Sequence, residues 1–322
     1  MHILTTDINN LVLPKDLLGE ALLTVGAFDG IHIGHWALIQ ELADQAHKQG
    51  KLSGLVTFYP HPTVVLQPER PARYLTTPGE KAVLLESSGL DWIVMLSFTP
   101  SLAKMSPQDF CQVLVERTGM RELWVGPDAA IGRGRAGGLS ILKDLGAELG
   151  FQLHEVPYVT QDGEKVSSTQ IRRLVRRGHI EQAASLLGRP YSVCGEVVHG
   201  AQRGRCLGFP TANVDVPAER VVPANGIYAT MARVGEQWHQ SVTSIGVRPT
   251  FDNGVRSIET YLLDFGGDLY GHDLVVEFIA RLRPEQRFSN IQDLVDQIKD
   301  DVARSRKVLA SYVPSAPTGC GG

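Results

Sequence analysis

Near Gly188-Arg189-Pro190 the hydrophobic pattern of this 322-residue chain changes period, and that change constrains the fold more than any other feature. Before it, short apolar runs alternate with helical patterns. Residues 21–26 (ALLTVG) are apolar nearly throughout, as in a strand buried on both faces. Over 35–49, Leu38, Ile39, Leu42, Ala43 and Ala46 recur on one helical face. Segments 52–60, 91–98 and 122–128 read as further strands. Ser106-Pro107 opens a helix, with a good N-cap and then proline where its missing N–H costs nothing. Segment 139–150 reads as another helix. Such alternation implies parallel β-α-β units and a doubly wound, Rossmann-like α/β sheet. After the change, strand-like runs follow one another at 191–200, 226–234, 241–246, 257–265 and 274–282, which predicts an antiparallel barrel or sandwich. A last helix is expected, with Ser289 and Gln292 as a capping box and Leu294, Ile298, Val302 and Leu309 at helical spacing. The expected domains are 1–187 and 188–313, followed by a disordered tail at 314–322.

The length suits two domains of roughly 150 residues each. Apolar content of 43% and charged content of 20% are those of a globular protein rather than a disordered one. A formal net charge of −4 argues against a general nucleic-acid binder. Cys111, Cys194, Cys206 and Cys320 include no Cys-x-x-Cys pair, so neither a zinc site nor a disulfide framework is expected, and a reduced cytoplasm fits best. The opening MHILTTDINN lacks a basic stretch leading into an apolar run, so no signal peptide is expected. No apolar run approaches the roughly 18–20 residues of a membrane span, so no membrane partner is expected.

Residues 24–35, TVGAFDGIHIGH, lie between a predicted strand and a predicted helix. In a parallel sheet ligands sit beyond the carboxyl ends of the strands. Gly26, Gly30 and Gly34 allow close backbone approach, and the following helix offers free N–H groups to an anion. His32 and His35 are spaced to face one point near that helix start. A nucleotide phosphate site accounts for two histidines here; a glycine-rich turn with surface histidines is the plainer alternative. Ser167, Ser168, Thr169 and Arg172 put hydroxyls and a guanidinium at another helix start, although Ser-Ser-Thr is also a common cap. The RRLVRR run at 172–177 reads as a solvated face, and PHP at 60–62 as a strand-ending turn.

Farther on, the segment 197–214 is glycine-rich and ends in Thr-Ala-Asn, read as a turn. Thr211 and Asn213 offer hard oxygen ligands suited to Mg²⁺, with Gly200, Gly204 and Gly208 letting the loop close over phosphates. An ordinary hairpin loop is the alternative. In 257–265 the alternation places Glu259 with Tyr261, Leu263 and Phe265 on one face. If that face points inward the carboxylate needs a partner; if the Ile258 and Leu262 face does, Glu259 is solvated.

Taken in order, these segments resemble the bacterial bifunctional riboflavin kinase/FMN adenylyltransferase family, also called FAD synthetases. GAFDGIHIGH is similar to its G-x-F-D-G-x-H-x-G-H, TFYPHP at 57–62 to T-F-x-P-H-P, YLTT at 74–77 to its L-T-T segment, and SSTQIR at 167–172 to S-S-T-x-I-R. GFPTANV at 208–214, IGVRPTF at 245–251 and LYG at 269–271 are similar to the kinase segments. The resemblance covers about residues 20–312 and implies a nucleotidyltransferase domain followed by a riboflavin kinase barrel ending in a helix. It implies riboflavin, FMN and ATP as substrates, Mg²⁺ as cofactor, and a multifunctional cytoplasmic transferase of FAD biosynthesis. Through it, His32 and His35 hold ATP phosphates, while Gly26, Phe28, Asp29 and Gly34 shape the nucleotide site. Ser167, Ser168, Thr169 and Arg172 meet the triphosphate, and Gly204 and Gly208 belong to the second ATP loop. His61, Pro62, Asp128 and Arg287 border flavin, Thr211 and Asn213 hold the metal, and Glu259 is the general base of the kinase. Where the family reads D/N-F-x-F-G, this chain has Ala129 and Ile131 in place of aromatic residues, and Ala27 replaces a frequent asparagine. Two alternatives stand beside the bifunctional expectation: a riboflavin kinase with an impaired or altered adenylyltransferase, and a flavin-binding sensor.

Overall fold

The computed structural model describes residues 1–69, 73–200, 204, 207–247 and 256–314. They fall into two compact units, Met1–Ser167 and Ser168–Gly322.

In the first unit, β1 (His2–Thr6), β2 (Ala21–Val25), β3 (Leu52–Tyr59), β4 (Trp92–Ser97), β5 (Met120–Val125) and β6 (Gln152–Glu155) form a sheet in the order β1-β4-β3-β2-β5-β6. Every neighbouring pair is parallel. Helices α1 (Ile33–Lys48), α2 (Pro62–Leu66), α3 (Pro78–Leu85), α4 (Pro100–Lys104), α5 (Pro107–Thr118) and α6 (Leu139–Leu149) connect them. One core packs Ile39 and Leu42 of α1 on Leu22, Leu55 and Ile93. The opposite core packs Phe110 and Leu114 of α5 and Leu142 of α6 on Leu23, Val56 and Val94. Burial on both faces is why these strands read as unbroken apolar runs. Ser106 caps α5 as expected, its Oγ accepting from Asp109 N at 3.0 Å.

From β2 the chain steps through β3 and β4 on one side and reaches β5 and β6 on the other. The carboxyl ends of β2 and β5 therefore flank the switch point of the sheet, where such folds bind ligands. The 128 end of the predicted fourth strand is a turn, because β5 stops at Val125 ahead of Gly126-Pro127. A short hairpin, β7 (Thr160–Gln161) and β8 (Glu164–Lys165), ends the unit.

The second unit begins with α7 (Ser168–Arg177) and α8 (Ile180–Leu187). Strands β9 (Tyr191–Val198), β10 (Ala212–Asp215), β11 (Gly226–Val234), β12 (Gln237–Val247), β13 (Arg256–Leu262) and β14 (Asp273–Arg283) close into a barrel in the order β10-β13-β12-β11-β14-β9. All its pairings are antiparallel. Helix α9 (Ile291–Leu309) covers the outer faces of β11 and β14 through Leu309, Ala229, Met231 and Ile279. Because α8 packs on β9 and β14, the packing boundary at 167/168 lies ahead of the domain boundary expected at 187/188.

Three expectations are corrected. The Thr-Ala-Asn stretch is not a turn: Ala212–Asp215 is β10, paired on both sides. The cap of α9 is Asn290, whose side chain accepts from Asp293 N at 2.8 Å, rather than Ser289 with Gln292. Cys194 is disulfide-bonded, whereas no disulfide framework was expected. Bridging depends on Cα atoms approaching within about 7 Å in the fold, which sequence spacing does not reveal. Cys111 is a buried free thiol, pushed up to about 12 by desolvation. Among the described residues no helix is long and apolar enough to cross a membrane. The expectation of a disordered tail falls, beyond Pro314, outside the described residues.

Candidate active sites

The loop leaving β2 occupies the switch point of the first unit. Phe28, Gly30 and Ile31 have φ of 45°, 84° and 39°, so two non-glycine residues sit in the left-handed region. Such strain persists only where surroundings over-determine it. Here the Asp29 carboxylate, 3% exposed, accepts from Leu75 N and Thr76 N at 3.0 and 3.2 Å. Gly30 N donates to Thr76 Oγ1 at 3.1 Å. Buried Lys81 of α3 donates to Ala27 O at 2.7 Å and to Thr57 Oγ1 at 3.0 Å. Asp29 thus shapes the loop from beneath, tying it to the YLTT segment.

The loop delivers two imidazoles to the start of α1. His32 caps the helix, its Nδ1 accepting from His35 N at 3.3 Å, so in a neutral ring Nε2 carries the proton. His35 stacks on it, ring centroids 3.6 Å apart and 16° from parallel, and Phe28 meets His35 edge-on at 5.0 Å. A Cβ on Gly34 would fall 3.3 Å from the His32 ring, so glycine there leaves the imidazole its place. His32 is a structural cap of the helix that starts beyond the strand ends.

The other expected residues of this unit are placed as follows. His61 caps α2, accepting from Thr63 N at 3.2 Å, with Pro62 in its first turn. His61 lines a recess with Asp29, Tyr59, Tyr74 and Lys81. The exposed Asp128 pairs with Lys165 at 2.6 Å, and that ammonium lies 3.6 Å over the Tyr158 ring. Partial desolvation works upward on the Asp128 carboxyl, but the Lys165 hydrogen bond and charge outweigh it and hold the group below its ordinary range. Ala129 and Ile131 are half-buried against the α5/α6 core, and Ile131 bridges Gly137 through two backbone hydrogen bonds. Ser167 ends the first unit, whereas Ser168, Thr169 and Arg172 lie on α7 in the second. Lys81 was missed from the sequence. Its signal was the Thr77-x-x-Glu80 capping box of α3, both halves of which form.

In the barrel, Asn213 of β10 and Glu259 of β13 are directly opposite one another. Thr211 Oγ1 donates to Glu259 Oε2 at 3.5 Å. Ile258, Thr260 and Leu262 are buried inside the barrel, so Glu259 lies half-buried on the outer face and not the inward one. Gly200 and Gly204 fold against this group. A Cβ on Gly200 would overlap the Asn213 side chain, and Gly204 O accepts from Phe209 N at 2.9 Å. Gly208 sits at φ 84°. A cleft of about 550 Å³ opens beside Thr211, lined also by Ala212, Thr260, Phe265, Asp268 and Tyr270. Tyr270 stacks on His199 at 3.8 Å. Arg287 is exposed and lines a different cleft, with Phe288, Asp293, Asp296 and Asp300 at the start of α9. Residues 248–251 of IGVRPTF lie outside the described residues.

With this geometry in place, comparison with known proteins is specific. Residues 15–170 match the family model described as FAD synthetase, and residues 187–309 match the one described as riboflavin kinase. A Listeria monocytogenes protein named bifunctional riboflavin kinase/FMN adenylyltransferase is 35% identical, over 90% of this chain and 92% of its own. One of the same name from Pseudomonas fluorescens is 38% identical, over 91% and 93%. A crystal structure from Streptococcus pneumoniae, described as a macrolide-efflux protein, matches with a TM-score of 0.86 at 28% identity, covering 97% of this chain and all of its own.

Proposed function

The chain belongs to the bifunctional riboflavin kinase/FMN adenylyltransferase family, and from that premise we propose that it phosphorylates riboflavin to FMN and then adenylylates FMN to FAD. One observation carries the two-activity assignment: the two family segments fall, but for residues 168–170, on separately packed units, each gathering its own polar cluster, His32 with His35 in one and Thr211, Asn213 and Glu259 in the other.

We assign adenylyl transfer to residues 1–187. An FMN phosphate oxygen bonds to the α-phosphorus of ATP, the bond from that phosphorus to the bridging oxygen breaks, and pyrophosphate leaves. No enzyme nucleophile is needed; the protein aligns the reactants and neutralises charge growing on the leaving group. His32 and His35 donate to phosphate oxygens together with the first N–H groups of α1. The family resemblance assigns Ser167, Ser168, Thr169 and Arg172 to ATP phosphates, and His61, Pro62 and Asp128 to the flavin border.

We assign phosphorylation to residues 188–313. Glu259 takes the proton of the riboflavin 5′-hydroxyl as that oxygen bonds to the γ-phosphorus and ADP departs. The hard oxygens of Thr211 and Asn213, beside a carboxylate, fit Mg²⁺, which when bound neutralises phosphate charge. Gly204 and Gly208 belong to the loop over the phosphates, and Arg287 is assigned to the flavin border. ATP supply favours the cytoplasm as the location, with the Cys194 disulfide as the feature pulling the other way.

The half-burial of Ala129 and Ile131 against the core supports reading their departure from the family pattern as altered core filling rather than loss of a free flavin platform. Incubation of the protein with riboflavin, ATP and Mg²⁺, read by chromatography, is expected to yield FAD. FMN alone would replace this proposal with a kinase bearing an impaired partner, and unchanged riboflavin would overturn it.

A further inference from the structure

Lys165 of β8 closes a small charged cluster that lies wholly within the first unit. Its ammonium donates to Asp128 Oδ2 at 2.6 Å and lies 3.6 Å over the centre of the Tyr158 ring. A Cβ on Gly126, just past the end of β5, would lie 3.8 Å from Asp128 Oδ1 and 4.0 Å from the Tyr158 ring. Tyr158 precedes Val159, whose carbonyl accepts from Val166 N at 3.1 Å. The Val159 Cβ is 3.8 Å from where a Cβ on Gly34 would stand, in the first turn of α1. The cluster therefore bridges the carboxyl end of β5 and the helix start that His32 caps, both at the switch point of the sheet. Arg135 Nη2 donates to the Asp128 carbonyl at 2.8 Å, which brings a second cation to the same residue.

The side chains of Lys165 and Asp128 are 37% and 65% exposed, and an ion pair so open to water adds little to folding. Its consequence is the local field. Desolvation works downward on the Lys165 ammonium, but the hydrogen bonds and charges of Asp128 and Tyr158 outweigh it and hold the group above its ordinary range. Asp128 is held below its own, so the pair stays ionised at neutral pH. Without its partner the Asp128 carboxylate would repel an incoming phosphate, because like charges act on one another over a Debye length, roughly 10 Å at about 0.1 M salt. We propose that Lys165 is a specificity-determining residue for adenylyl transfer: by cancelling the charge of Asp128 it admits the phosphorylated flavin. The proposal rests on the assignment of Asp128 to the flavin border made above. FMN carries the charge that an uncancelled carboxylate turns away, whereas a neutral flavin ring is indifferent to it.

The test uses the full chain and follows FAD formation from FMN at saturating ATP. Lys165→Met keeps the stem and removes the charge. It is expected to raise the KM for FMN about threefold to tenfold while kcat stays within about twofold, the pattern of a binding effect. Lys165→Arg, which keeps the charge, is expected to recover most of the loss. Adding Asp128→Asn to Lys165→Met removes the repelling carboxylate and is expected to bring the KM back down. Lumiflavin, a neutral flavin ring with no phosphate, serves as an inhibitor whose Ki is expected to change less than about twofold in Lys165→Met. The KM gap between wild type and Lys165→Met is expected to narrow as salt rises from about 50 mM to about 500 mM. An unchanged KM for FMN, an equal rise for FMN and lumiflavin, or a gap independent of salt overturns the proposal. So does a double variant no better than Lys165→Met, because Lys165 then acts on the substrate and not through Asp128. Asp128→Trp, run in parallel, separates the two levels. An unchanged FMN KM and lumiflavin Ki in that variant remove Asp128 from the flavin border. A change there, beside an unaffected Lys165→Met, removes the role of Lys165 alone.

Discussion

Lys81 shows how a single residue sets the first site. The residue is 6% exposed, and its ammonium holds the Ala27 carbonyl, from which the strained Phe28–Ile31 turn departs. Burial lowers its pKa from 10.5 to about 8, against the pull of the Asp29 charge. Between those values the unfolded chain binds a proton that the folded chain does not, so stability rises as pH climbs from about 8 toward 10.5. The full rise is worth roughly 3 kcal/mol. The difference in unfolding free energy between wild type and Lys81→Met, followed across that window, is expected to grow with pH; a difference independent of pH contradicts the account. A lysine in an amphipathic pattern reads as solvated; the Thr77-x-x-Glu80 capping box marked the start of α3 but not the burial of Lys81. His32 and His35 stood out because two histidines in H-x-G-H at a strand–helix junction have few structural explanations. The face occupied by Glu259 was undecidable, since Tyr261 and Leu263 on one side weigh about as much as Ile258 and Leu262 on the other.

Among the elements, α9 illustrates how polar anchoring hides from periodicity. Leu294, Ile298, Val302 and Leu309 marked a helical stripe, but of these only Leu309 is fully buried, in line with Asp301 and Ser305. Asp301 accepts three hydrogen bonds from Arg283 Nε and Nη2 at 2.8–3.1 Å, and Ser305 Oγ donates to Ser241 O at 3.0 Å. An aspartate four residues before a serine reads as a wet face unless its arginine, on another element, is known. Removing one partner of a buried pair strands the other charge, at about 3–5 kcal/mol. Asp301→Ala is therefore expected to lower the urea midpoint at which riboflavin phosphorylation is lost, and an unchanged midpoint would contradict the anchoring role. The four-residue β10 escaped notice for a different reason: Pro210 precedes it and its Ala-Asn-Val-Asp has the composition of a turn. Its strand character comes from β9 and β13 on either side, a tertiary effect that overrides local preference.

For the whole molecule, the change of pattern near residue 188 was readable because parallel and antiparallel sheets bury their strands differently. It located two architectures, while the packing boundary falls at 167/168. Helices α7 and α8 carry helical periodicity like that of the first unit and gave no sign that Glu181 and Arg177 are hydrogen-bonded to Arg281 of the barrel. The Cys194 bridge was equally hidden. The central claim is two chemistries on one chain, each carried by its own cluster, and separation of function tests it most directly. Glu259→Gln and His32→Ala are each supplied with riboflavin or with FMN, plus ATP and Mg²⁺, and products are separated by chromatography. His32→Ala loses a cap worth about 1 kcal/mol and, on the proposed assignment, a transition-state donor worth about 3–4 kcal/mol, so activity should fall far more than stability. Glu259→Gln is expected to leave riboflavin untouched yet convert FMN to FAD, while His32→Ala turns riboflavin into FMN and stops there. Loss of both conversions in either variant, or retention of both, would contradict the assignment.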